Sequence, residues 1–123
     1  MKKVLLAQFT VAPSGAEVVR QLVVEYTHAV RAEKGNRLFA PTTRVDDPNS
    51  YVIFEEYEND AAFAAHLNTA HCAAFNVAIA PWIRGGATTL IDLVDIESEG
   101  GASGSRTPVQ APEGRDPAPR WHR

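Results

Sequence analysis

YVIFEEYENDAAFAAHLNTAHCAAF, residues 51–75, decides how the chain is read. Tyr51 to Glu58 mixes aromatic and β-branched residues and predicts a strand. Asn59-Asp60 then offers a helix cap, and a short helix follows over roughly residues 61–67, carrying His66. Thr69 caps another, roughly residues 70–79, carrying His71. The two short helices act as one broken crossover. Strand alternation separates the adjacent carboxylates: Glu55 shares a face with Tyr51, Ile53 and Tyr57, and Glu56 shares one with Val52 and Phe54.

Upstream, Lys3 to Val11 reads as a first strand with Leu5, Ala7, Phe9 and Val11 on one face. The apolar run at the start briefly imitates a leader peptide, but Gln8 and Thr10 interrupt it. Ser14 and Glu17 have capping-box spacing. The helix they open runs to about Glu33, with Val19, Leu22, Val23, Tyr26 and Val30 as its apolar stripe and Glu33 among the charges off it. Gly35 is its expected stop, in the left-handed conformation. Asn36 to Val45 predicts the second strand, and Asp47-Pro48-Asn49-Ser50 the turn to the third. Downstream, Pro81 and Gly85-Gly86 punctuate, and residues 87–96 predict a fourth strand.

The order β-α-β-β-α-α-β is the ferredoxin-like split βαβ pattern of the α+β class, with a four-stranded antiparallel sheet. Helices cover one face of such a sheet. The other face is also apolar at Val52 and Phe54, so two copies are expected to pack sheet to sheet as a homodimer. The folded domain spans 1–96. Residues 97–123 contain four Gly, four Pro and three Ser in 27 positions and bury too little apolar surface to order, so a disordered tail is expected.

The 123-residue chain carries a net charge of −3, which gives no basic field for nucleic acid or an anionic membrane. No apolar run approaches the ~20 residues of a membrane span. Cys72 is the only cysteine, which excludes an intramolecular disulfide and a thiolate metal cluster and fits a cytoplasmic protein. No phosphate-binding loop or dinucleotide fingerprint is present. His66 and His71 lie five residues apart across a helix break, not at the i,i+4 spacing of a helical zinc pair, and no metal is expected.

The segment EKGNRLF (Glu33 to Phe39) resembles the E-P-G-N-x-x-F signature of the antibiotic biosynthesis monooxygenase (ABM) family, with Lys34 in place of proline. Glu55, Tyr57, Asp60, His66, Thr69-Ala70-His71 and Phe75 match, in order, that family's acid–aromatic, acidic-cap and two-histidine pattern. The resemblance covers about residues 3–96. It implies a dimeric α+β barrel with one pocket per subunit between sheet and helices. It also implies a cofactor-independent monooxygenase that oxidises a small quinol or phenol with dioxygen. Autoinducer-phosphate isomerases and proteins without known activity share the family, so an isomerase or a non-catalytic binding or stress protein is the alternative.

On this resemblance Glu55 faces the pocket, where lost solvation raises its pKa and suits acid–base work. A buried carboxylate paired for structure is the other reading. His66, on an apolar helix face with Phe63 and Leu67, is its expected catalytic partner, or else a satisfied core histidine. Tyr26, Tyr51, Tyr57, Phe63, Phe75 and Trp82 supply surface for a flat ring, or simply core. His71 is a further pocket candidate, or a packing residue. Glu56 is expected in the inter-subunit barrel, paired with Arg44 of either subunit. Trp82 and Asn76 do not reproduce the spacing of a haem-degrading site. Arg84 is expected either to hold an anionic ligand group or to be solvated.

Overall fold

Alternation in the first strand is realised at the centre of the sheet. β1 (Lys3–Val11) buries Leu5, Ala7, Phe9 and Val11 on one face. The structure, a computed structural model, describes residues 1–97. After β1 come α1 (Ala16–Arg31), β2 (Asn36–Arg44), β3 (Asp47–Tyr57) and α2 (Asp60–Leu67). The last two are α3 (Ala70–Ile79) and β4 (Ile83–Leu93). The strand order is β2-β3-β1-β4 with every pair antiparallel, the open α+β ferredoxin-like sheet. Met1–Leu93 form one unit. In the separate unit that begins at Val94, the Glu97 N–H donates to Asp95 Oδ1 at 3.0 Å. The expected tail lies, beyond Glu97, outside the described residues.

The core sits between the sheet and α1 and α3. α1 presents Val19, Val23, Thr27 and Val30 at helical spacing. The three valines join Phe9, Phe39, Ile53, Phe75 and Ile79 in one core cluster, and the Thr27 hydroxyl donates to the Val23 carbonyl at 2.7 Å. Arg31, in the last turn of α1, donates from Nε and Nη2 to the Phe39 carbonyl at 3.1 and 2.8 Å and ties the helix end to β2. Asn59 caps α2 by accepting from the Ala62 N–H at 2.8 Å. Thr69 caps α3 by accepting from the Cys72 N–H at 3.1 Å and donates to the His66 carbonyl at 2.8 Å. One hydroxyl thus fixes the angle between the two histidine-bearing helices.

Several local expectations are corrected. Ser14 and Glu17 form no capping box: Pro13–Gly15 is a single 3-10 turn, and Gly15 opens α1 without a side-chain cap. Among the described glycines the left-handed conformation belongs to Gly85 and Gly86, not Gly35. Gly35 answers to close approach instead, since a Cβ there would lie 2.4 Å from that of Ala62 on α2. The β2–β3 turn falls at Val45-Asp46, ahead of the expected tetrapeptide. Asp47 does accept local bonds, from the Asn49 N–H at 3.0 Å and the Ser50 hydroxyl at 2.7 Å, but it does so inside β3. β4 begins at Ile83, with Gly85 and Gly86 inside it, because its pairing with β1 slips between Gln8 and Thr10 and the irregularity absorbs the glycines. Within the chain, Glu56 Oε2 lies 3.8 Å from the Lys2 ammonium, and Arg44 pairs with Asp46 at 2.7 Å.

Candidate active site

A cavity of about 160 Å³ opens between the sheet and the helices. β1 gives it Leu5 and Phe9, and β3 gives it Ile53 and Glu55. Tyr26 comes from α1, Phe63 and His66 from α2, and Phe75 from α3. Tyr26 and Phe75 stack with centroids 4.0 Å apart and planes 3° apart, and Phe39 meets Tyr26 edge-on at 5.6 Å. These rings make one wall of the cavity flat and apolar.

Glu55 is 5% exposed, on the helix-covered face as its strand parity requires. The Tyr57 hydroxyl donates to Glu55 Oε1 at 2.6 Å. Burial raises the Glu55 carboxyl above its ordinary value. The Tyr57 bond and the nearby His66 pull the other way, and the charge of Glu33 adds to the rise. Burial likewise raises the phenols of Tyr26 and Tyr57, so both stay protonated donors.

His66 is 4% exposed and bonded at both ring nitrogens. Nδ1 lies 2.8 Å from Glu33 Oε2 and 3.1 Å from Oε1, and Nε2 lies 3.2 Å from the Tyr26 hydroxyl. His71 Nε2 approaches the same Glu33 Oε2 at 2.6 Å. The ligand-type atoms of Glu33, His66 and His71 all fall within 4.8 Å of one another. Glu33 is not among the site residues expected from the sequence. Its signal in the sequence is its place as the first residue of the EKGN motif.

The other candidates divide. Tyr26, Phe63 and Phe75 line the cavity with Glu55 and His66. His71 lines a shallower groove on the far side of Tyr26, beside Leu22 and Ala74. Tyr51 stacks on Phe9 at 4.9 Å within the core, and Tyr57 stands outside the cavity lining but meets the site through its bond to Glu55 and ring contacts with His66 and Phe63 at 5.1 and 5.2 Å. Trp82 packs against Gly15, and its carbonyl accepts from the Ala12 N–H at 2.8 Å, away from the cavity lining. Arg84 and Asn76 are exposed, although Asn76 also borders the cavity.

The rise of the Glu55 carboxyl has a measurable consequence. The folded protein holds that proton more tightly than the unfolded chain, so the related stability is present at low pH and is lost as pH rises through the folded value. Glu55→Gln keeps an acceptor for Tyr57 and cannot ionise. Its Tm is expected to exceed that of the unsubstituted protein by a few degrees at pH 7, with the gap closing below pH 4.5, the ordinary glutamate value. Equal Tm differences at both pH values would count against the desolvation account.

The sheet order and the glutamate–histidine cavity define an ABM-type domain. The family model for antibiotic biosynthesis monooxygenase matches residues 4–78, and the chain belongs to that family. None of the curated proteins matches it. Among solved structures it is similar to a Nitrosomonas europaea protein provisionally assigned as an antibiotic biosynthesis monooxygenase. That match has 22% identity and a TM-score of 0.72, and covers 77% of this chain and 90% of that one. A second structure, described as an antibiotic biosynthesis monooxygenase, is 25% identical with a TM-score of 0.72, covering 77% and 98%. Rv0793 from Mycobacterium tuberculosis is 23% identical with a TM-score of 0.69, covering 77% and 97%.

Proposed function

We propose that the protein is a monooxygenase that oxidises a small quinol or phenol with dioxygen, using no flavin, haem or metal. One observation carries this reading: Glu55 and His66, the two groups suited to move protons, border the same aromatic-walled cavity. Its volume of about 160 Å³ is close to the ~150 Å³ of an apolar cavity that holds benzene, which suits a single ring better than a fused polycycle. His66 Nε2 takes the substrate hydroxyl proton, and the electron-rich anion reduces dioxygen. One oxygen atom enters the ring and the other leaves as water, with all four electrons supplied by the quinol. Glu55, whose carboxyl burial raises above its ordinary value, is the group placed to return a proton to the oxygen intermediate, and the apolar walls keep bulk water out. Tyr26, Phe63 and Phe75 position the ring.

Two copies are expected to join through the sheet face opposite the helices, where Leu6, Val52, Phe54 and Ile91 alternate with the core-facing residues. A buried Cys72 and the lack, among the described residues, of any helix able to cross a membrane fit a cytoplasmic setting.

The test is oxygen uptake with a panel of monocyclic quinols and phenols. The expected result is catalytic uptake of one O₂ per quinol and a hydroxylated quinone product. Turnover that continues under anaerobic conditions would replace this reading with an isomerase on the same acid–base pair. Binding without turnover in either atmosphere would replace it with a binding protein.

A further inference from the structure

The groups around His66 come from every element packed on it. Tyr26 comes from α1, Glu33 from the segment after α1, and Glu55 and Tyr57 from β3. His71 from α3 reaches it through Glu33. From β1, the Lys3 ammonium lies over the Phe63 ring, 5.3 Å from its centroid, and is paired with Asp92. A carboxylate can only accept, so the 2.8 Å contact between Glu33 Oε2 and His66 Nδ1 requires the ring proton on Nδ1. The neutral ring then has its lone pair on Nε2, the nitrogen that meets the Tyr26 hydroxyl at the cavity. His71 donates to the same Glu33 oxygen at 2.6 Å and steadies the carboxylate, whose side chain is 12% exposed.

We propose that Glu33 is a positioning residue for His66: it selects the ring tautomer that aims a basic nitrogen into the cavity and then balances the charge when that nitrogen takes a proton. The inference rests on the monooxygenase reading for its catalytic meaning, but its physical content does not. The arrangement has the logic of a carboxylate–histidine–hydroxyl triad, in which the carboxylate holds the imidazole in one tautomer and stabilises the imidazolium. A substrate phenol that takes the place of the Tyr26 hydroxyl at Nε2 finds the lone pair already oriented. A chelating role is the competing use of the same three residues. The contacts of 2.6 and 2.8 Å are hydrogen-bond lengths, whereas ligands about 2.0–2.1 Å from a tetrahedral metal stand roughly 3.3 Å apart.

The experiment is ¹⁵N spectroscopy of the His66 ring in the full chain without substrate, at a pH where the ring is neutral. In the unsubstituted protein Nδ1 is expected in the protonated range and Nε2 in the unprotonated range. Glu33→Leu, which removes the acceptor, is expected to move the proton largely to Nε2. A dominant Nε2–H tautomer in the unsubstituted protein overturns the proposal even if the variant does not fold, and so does an unchanged tautomer in Glu33→Leu. With a quinol found by oxygen uptake, Glu33→Gln is expected to lower kcat about 10²-fold or more while KM stays within a factor of about two, and Glu33→Asp is expected to recover part of the loss. A loss confined to KM overturns it. Stoichiometric zinc uptake that Glu33→Gln and His71→Ala abolish also overturns it, in favour of chelation. If no quinol is oxidised, the functional reading falls, and the tautomer still decides the role of Glu33.

Discussion

His66→Gln is expected to lower kcat for quinol oxidation by 10²- to 10⁴-fold, the range a positioned general base contributes. The side chain is 4% exposed and bonded at both nitrogens, so a polar replacement of similar reach keeps the Tyr26 hydroxyl partnered and leaves the cavity walls in place. The substituted amide cannot take a proton from a phenol at neutral pH. Ligand affinity is therefore expected to hold, and the loss should fall on kcat, because the missing interaction belongs to the transition state. Steady-state oxygen uptake beside equilibrium binding of a non-oxidisable phenol checks both halves. Retained kcat would remove His66 from the chemistry and leave it as a buried tether for Glu33.

Phe39→Ala carries the largest expected loss of stability. Phe39 is 1% exposed and lies opposite Glu55 in the β2–β3 register. Its ring meets Tyr26 edge-on at 5.6 Å, and its carbonyl receives both Arg31 bonds. Truncating a buried phenylalanine costs about 3–5 kcal/mol. At roughly 4–8 °C per kcal/mol for a domain of this size, Tm should fall by more than about 12 °C. Thermal unfolding measures it, with Phe39→Leu as the milder comparison. A fall under about 5 °C would mean that neighbouring side chains collapse into the space.

The two variants probe what the sequence made legible to different degrees. Period-two alternation in β1 and β3 groups Leu5 with Phe9 and Ile53 with Glu55 on one face of each strand, because a strand leaves a side chain only two directions, and the family pattern marks the Glu55 face as the one under the helices. The caps at Asn59 and Thr69 were likewise local and came out as read. The cavity's pairing of Glu55 with His66 followed from the family pattern. Glu33 was missed because its partners lie 33 and 38 residues further along the chain, a closure set by how α2 and α3 return over the end of α1. On helical periodicity alone it looked like one more charge off the apolar stripe. Trp82 erred the other way: an aromatic side chain near the last strand suggested a ligand wall, yet the chain folds it onto Gly15. The Gly35 reading failed for the same reason. A left-handed turn and a close approach by Ala62 both demand glycine, and only the tertiary contact says which applies.

The strand order also bears on how the chain is made. β2 and β3 are joined by two residues and can pair as soon as both exist. β1 is central in space but first in sequence, and one of its edges waits for β4, about 70 residues later. At ribosomal rates of about 5–20 residues per second, that edge stays open for roughly 4–14 s. Its neighbours Leu5, Ala7 and Phe9 are apolar, so a nascent chain offers a sticky template through that interval. Lys2, just ahead of β1, and Lys3, its first residue, place like charges on every copy of the template. Neighbouring nascent chains therefore repel one another at the point where β1 would otherwise pair with a copy of itself.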